Sequence, residues 1–251
     1  MKQVLYIIEF VGNNVFLFLR SLLHIGTLHR QCGRVVEQAF FIGYTTLPII
    51  SILSIFIGAV LALQSGFTMR NTPGAQNFLG AIVGLSMCRE LGPVMACFLL
   101  AGRVGSSITA ELASMKVYNE VDALVTMNIP PERILVLPRL VATALVMPLL
   151  TIFSIVIGWY GGVIVVEHVD FITIDANTYW TNLKQFVRYD SVKDGLIKAE
   201  LFGILVTLIC CHEGLHTEGG PREIGRAVTR GVVSSMIVIL FLDYFVTKVL
   251  L

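Results

Sequence analysis

The sequence predicts an all-α integral membrane protein: an N-terminal interfacial helix followed by five transmembrane helices. Three observations carry that expectation. Only 14% of the 251 residues are charged and 55% are hydrophobic, against about 25% charged in a soluble domain. Uncharged windows run over residues 38–69 and 140–166, each longer than the ~20 apolar residues that a bilayer core requires. A third window, 77–102, is apolar apart from the adjacent pair Arg89 and Glu90. The net charge of +1 provides no field for holding nucleic acid, which is excluded as a partner.

The elements follow in order. Across residues 1–37, Val4, Ile8, Val11, Val15, Phe18 and Leu22 recur at steps of three and four, while Glu9, Asn13, Asn14 and Arg20 interrupt them. That is the pattern of a helix lying in the membrane surface. A signal peptide is the alternative, opposed by Glu9 and by the lack of a small-residue cleavage site. Residues 38–251 form the five-span core. Its fourth and fifth windows, 201–212 and 231–242, are short, bounded by Glu200 and by Asp243 and Lys248. They reach spanning length if Lys198 and Glu200 sit near one interface and Asp243 lies within the last span. A loop over about 167–197 precedes the fourth span, with Tyr179 and Trp180 as interfacial anchors, while Trp159 and Tyr160 close the third. Pro48, Pro93 and Pro148 bend their spans, and Gly80-xxx-Gly84 and Gly158-xxx-Gly162 permit close helix approach.

Orientation is read from the basic residues. With the N-terminus in the cytoplasm, Lys2, Arg20, Arg30, Arg34, Arg103, Lys116, Arg133, Arg139, Arg222, Arg226 and Arg230 fall inside. Arg70, Lys184, Arg188, Lys193, Lys198 and Lys248 fall outside, which favours a cytoplasmic N-terminus and a C-terminus on the far side.

Enzymatic machinery is not visible. The chain has no GxxxxGK[ST] phosphate loop, no HExxH and no GxSxG, so it does not hydrolyse ATP by itself and calls for no cofactor. Cys88, Cys97, Cys210 and Cys211 fall in apolar stretches and read as small buried hydrophobes. His24, His29, His168, His212 and His216 fall in loops or at span ends. A metal on His212 and His216 would need a helix, and Gly214 with Gly219 and Gly220 argues for a loop, so no metal site is expected.

Two signals are positive. Intramembrane charges mark functional sites by default, which makes Arg89 and Glu90 candidates for lining or gating a substrate path, with Pro93 opening the helix beside them. The alternative is a mutually neutralising pair that fixes packing. Between the second and third spans, Asn119 is a good N-cap, and Glu120 and Asp122 complement the first turn of a short helix over about 119–128. Its apolar stripe of Val121, Leu124 and Val125 suits the groove of a partner protein; the alternative is that it lies on lipid headgroups.

The run Arg89-Glu90-Leu91-Gly92-Pro93, then Ala101-Gly102-Arg103-Val104-Gly105-Ser106, Met115-Lys116-Val117, Glu120, Asp122-Ala123-Leu124 and Pro138-Arg139 resembles the MlaE family of permeases. The resemblance continues through Gly219-Gly220, Gly225-Arg226-Ala227, Thr229-Arg230, Ser234-Ser235 and Leu242-Asp243. Asn128 stands where the family usually has glycine, and Pro221-Arg222 where a small residue follows the glycine pair. The resemblance implies a single permease domain, the membrane subunit of an ABC transporter that moves phospholipid between inner and outer membranes and so maintains outer-membrane lipid asymmetry. It implies a homodimer in the bacterial inner membrane, with cytoplasmic ATPase subunits and a periplasmic ring of MCE-domain proteins. The helix at about 119–128 becomes the coupling helix, meeting the ATPase through Glu120, Val121, Asp122, Leu124 and Val125. The loop 167–197 becomes periplasmic, and Arg89 and Glu90 line a lipid cavity at the dimer interface. A self-sufficient ion-driven carrier would show repeated discontinuous helices or charge relays, for which only Arg89, Glu90 and Asp243 qualify. A membrane scaffold without transport is the other alternative, separated by co-purification with an ATPase.

Overall fold

The computed structural model describes residues 2–26, 31–72 and 74–250, with side chains from residue 12 onward. No strand occurs among the described residues. The helices are α1 (Lys2–Leu23), α2 (Cys32–Thr68), α3 (Ala75–Val117), α4 (Glu120–Thr126), α5 (Glu132–His168), α6 (Ala176–Phe186), α7 (Tyr189–Leu215) and α8 (Pro221–Leu250). Five of them, α2, α3, α5, α7 and α8, are long and apolar enough to cross a membrane. The protein is therefore the all-α integral membrane protein that the composition predicts.

Several boundaries differ from the sequence expectation. The N-terminal helix ends at Leu23 rather than near residue 37, because the helix of the first span already begins at Cys32. Val15 and Leu22 of its stripe are exposed while Leu17 and Ser21 are buried. The side chains of Val4, Ile8 and Val11, and residues His29, Arg30 and Leu251, lie outside what is described. The segment 167–197 is not a loop: it holds α6 and the first turns of α7. The fourth of these helices starts at Tyr189 and the fifth at Pro221, well before the uncharged windows; within α7 Lys198 is buried and Glu200 half-buried, whereas Arg222, Arg226 and Arg230 in the first turns of α8 are exposed. Trp159 does not close the third span, since α5 continues to His168. Tyr179 is not an interfacial anchor; it is fully buried, and its hydroxyl donates to the Trp159 carbonyl at 3.3 Å.

The chain forms two compact units. One comprises Thr45–Ala96, Met147–Glu200 and Val246–Leu251. Its core gathers Leu79, Val83 and Met87 of α3, Val163 and Val166 of α5, and Tyr179 and Leu183 of α6. The two glycine motifs are what let these helices meet. At Gly80 a Cβ would run into the Tyr179 carbonyl, at Gly162 into the Tyr179 hydroxyl, and at Gly158 into Met87. Ser54 and Ser154 share a buried hydrogen bond of 2.8 Å. Gln76 donates to the carbonyls of Gly66 and Phe171 and accepts from the amide and hydroxyl of Thr173, fixing the segment that leads into α6. Asp175 then caps α6, accepting from the Thr178 amide at 3.2 Å.

The other unit comprises Met1–Tyr44, Cys97–Val146 and Leu201–Phe245. Its helices are joined by hydroxyls: Thr109 donates to the Cys210 carbonyl at 3.0 Å, and Thr143 and Thr207 share a 3.0 Å bond. Gly105 lies against the Cys210 thiol, which an added Cβ would crowd, and Gly231 lies against the Thr109 hydroxyl. Arg139, with its side chain 4% exposed, pairs with Glu111 at 2.7 Å, and Arg20 of α1 reaches Glu132 at 3.3 Å. No disulfide joins the described cysteines, and Cys88, Cys97, Cys210 and Cys211 are buried as expected. Among the described residues, π turns lie within α3 at Met87–Leu91 and Leu100–Gly105 and at the start of α5 at Glu132–Val136. Such turns often mark functional positions.

Candidate functional site

The first π turn carries Arg89 and Glu90. Both are half-buried within α3, but they do not pair with each other. Adjacent helical residues point to different faces, so the expected local pair is geometrically disfavoured. Each finds its partner elsewhere. The Arg89 Nε donates to the Ser191 hydroxyl at 3.3 Å. Glu90 accepts from the Lys198 ammonium at 2.8 Å and from the Thr247 hydroxyl at 3.2 Å, while Lys198 donates to Thr247 at 2.6 Å. Lys198 also donates to the backbone carbonyl of Arg89 at 3.1 Å.

Charge in a span is costly unless paired, and this cluster meets that condition for Glu90 with a lysine placed by the sequence reading at a membrane interface. Lys198 is instead 2% exposed, inside the helix set. One signal could have found it. Ser191, Gly195 and Lys198 stand at i, i+4 and i+7, one face of α7, and all three face α3. Thr247 carried no comparable signal, because it is brought in from α8 by the tertiary fold.

The arrangement leaves the two sides of the cluster chemically unlike. Glu90 is neutralised by Lys198. Arg89 is held only through Nε among the described residues, so its terminal amino groups can engage an anion. A guanidinium so placed in an apolar span can hold a phosphate or carboxylate by a two-pronged contact.

The short helix α4 differs in detail from its sequence description. Asn119 does not cap it with its side chain; it takes a left-handed conformation, φ 60°, and its carbonyl accepts from the Ala123 amide at 2.9 Å. Asparagine tolerates that geometry better than most residues. Asp122 is tied to Lys116 at 2.6 Å. The apolar stripe divides: Val121 is buried and Leu124 half-buried, whereas Val125 is 57% exposed. Glu120, Tyr118 and Met127 are exposed beside Val125. Asn128 has φ 59°, the conformation that glycine and asparagine share. Pro221 is the first residue of α8, a position proline favours.

No group of three or more metal-ligating side chains occurs among the described residues. His212 lies in α7 rather than in a loop, its ring stacked 4.2 Å from that of His216. Gly214 does not end the helix; its missing side chain lets α7 lie against Leu112.

Five helices long and apolar enough to cross a membrane, with an ionisable cluster among them, define a polytopic membrane protein. The chain belongs to the MlaE permease family: the family model described as Permease MlaE matches residues 35–249. It is 41% identical over 216 residues to a probable ABC transporter permease protein of Rickettsia typhi, covering 86% of this chain and 82% of that one. It is 34% identical over 250 residues to the intermembrane phospholipid transport system permease protein MlaE of Haemophilus influenzae, covering 99% and 95%. A probable ABC transporter permease protein of Synechocystis is 32% identical over 234 residues, covering 92% and 87%. The chain is thus the permease subunit of an ABC transporter and not its ATPase.

Proposed function

We propose that this permease moves phospholipid between the inner and outer membranes, and so maintains outer-membrane lipid asymmetry. It works in the inner membrane as a homodimer, with cytoplasmic ATPase subunits that hydrolyse the ATP and a periplasmic ring of MCE-domain proteins. The N-terminus and α4 face the cytoplasm, and α6 and the C-terminus face the periplasm. The name of the Haemophilus relative supports the substrate, and the surplus of basic residues on one side supports the orientation.

The observation that carries the reading is the Arg89 side chain, set in an apolar span with its terminal amino groups unengaged among the described residues. A phospholipid is an anionic phosphate on a large apolar body, so its site needs apolar walls and one available cation. Lys198 takes up the Glu90 charge, which leaves Arg89 for the phosphate. On α4, Glu120, Asp122 and Val125 form the outward face for the ATPase, with Leu124 at its edge and Val121 beneath.

The test is lipid photocrosslinking in the assembled complex with a photoreactive residue at position 89 or 90. Phospholipid adducts are expected there. Adducts elsewhere in the protein and none at these positions overturn the site.

A further inference from the structure

We infer that Lys198 stands in for the backbone amide that Pro93 lacks, and is thereby the positioning residue that fixes the π turn presenting Arg89 and Glu90. In a helix the amide of each residue donates to the carbonyl four residues back, or five back in a π turn. Pro93 has no amide hydrogen. The register around it is π: the Gly92 amide reaches the Met87 carbonyl. Residue 93 would supply one donor, to the Cys88 carbonyl in the π register or to the Arg89 carbonyl in the α register that resumes at Gly92, and proline supplies it to neither. Inside a bilayer no water replaces it.

Two residues of α7, one turn apart, cover this gap. Gly195 lies so close to the Cys88 carbonyl that any Cβ there would collide with the oxygen. Three residues on, the Lys198 ammonium donates to the Arg89 carbonyl at 3.1 Å. A lysine needed only to neutralise Glu90 has no reason to reach the backbone. Here one ammonium holds the carbonyl of Arg89, the carboxylate of Glu90 at 2.8 Å and the hydroxyl of Thr247 at 2.6 Å, so the main chain and the side chain of the turn are fixed together.

The inference deepens the lipid-site reading, and only its functional consequence rests on that reading. The test is a cycle in the full-length chain in lipid nanodiscs, in a Glu90→Gln background so that loss of Lys198 leaves no bare carboxylate. Lys198→Met is expected to lower the thermal midpoint by about 2–4 °C. Pro93→Ala, by restoring an amide donor, is expected to recover most of that loss. A loss of equal size with and without Pro93→Ala, or no loss in Lys198→Met, overturns the inference. If Lys198→Met does not accumulate, its recovery by Pro93→Ala decides the same question, and failure to recover overturns it. A second readout uses a photoreactive residue at position 90 in place of Gln. Lipid adducts there should fall about tenfold in Lys198→Met and return with Pro93→Ala, a coupling of the size seen within one interaction network. Adducts absent from every variant, with the thermal cycle intact, remove the lipid reading and leave Lys198 as the partner of the turn.

Discussion

The Lys198 ammonium of α7 lies 2.8 Å from the Glu90 carboxylate of α3, with the lysine side chain 2% exposed and the glutamate 39%. The pair joins two spans that each read in sequence as interrupted by charge. Breaking such a pair costs more than the pair contributes, because one charge is left without a partner. Lys198→Met alone should therefore destabilise the permease by about 2–3 kcal/mol, below the range for fully buried pairs because Glu90 is partly exposed. The double change Glu90→Gln with Lys198→Met should be milder than the single one. Thermal unfolding of the four variants checks this; strictly additive losses would remove the pairing.

On α4, the burial of Val121 and the exposure of Val125 separate folding from docking. Val121→Asp should place a charge in an apolar contact and cost several kcal/mol, so that little folded permease is recovered. Val125→Asp should insert and fold normally but fail to retain the ATPase. Leu124→Asp, half-buried, should affect both. Co-purification and unfolding measured on the same preparations distinguish the three; full ATPase recovery with Val125→Asp would return α4 to the headgroups.

Glycines in this chain are not equivalent. At Gly80 an added Cβ meets the Tyr179 backbone, whereas at Gly225 it meets nothing within 4 Å. Gly80→Ala should cost about 1–3 kcal/mol through forced separation of α3 and α6. Gly225→Ala should stabilise α8 by about 0.5–1 kcal/mol, the difference in helix propensity. Opposite signs in thermal midpoint are the expected outcome; a loss at both positions contradicts it.

Asp175 gives α6 a pH dependence of defined sign. The Thr178 hydroxyl at 2.5 Å, and then its amide, favour the ionised carboxylate and hold its pKa below the ordinary value. A lowered folded-state pKa contributes stability that is present above the ordinary carboxylate range and lost as pH falls through the lowered value. Amide exchange in residues 176–186 should therefore be slower at about pH 6 than at about pH 3, after correction for intrinsic exchange. Asp175→Asn should abolish that difference, and its persistence would sink the assignment.

A topology experiment tests the proposed orientation. A reporter after Leu251 should read as periplasmic and one inserted at Gly219 as cytoplasmic, since α8 alone separates them. Both on one side would exclude α8 as a span.

Composition and glycine spacing by themselves determined that this chain is a helical membrane protein and that Gly80, Gly84, Gly158 and Gly162 permit close helix contacts. These properties are local: they depend on hydropathy over a window and on glycine's missing side chain. The order of motifs from Arg89 to Asp243 carried the family. Tertiary structure decided the rest. Sequence put Lys198 at an interface and paired Glu90 with Arg89, because a charge ends an apolar window and a neighbour in sequence is the nearest visible partner. In the fold, α7 brings Lys198 to Glu90 across more than a hundred residues, and the paired charges no longer bound a span. Likewise, 167–197 looked like a loop because it is polar, yet Asp175 caps α6 and Tyr179 fills the space that Gly80 and Gly162 leave open. Pairing energy and shape complementarity arise only between segments, so no window along the chain contains them.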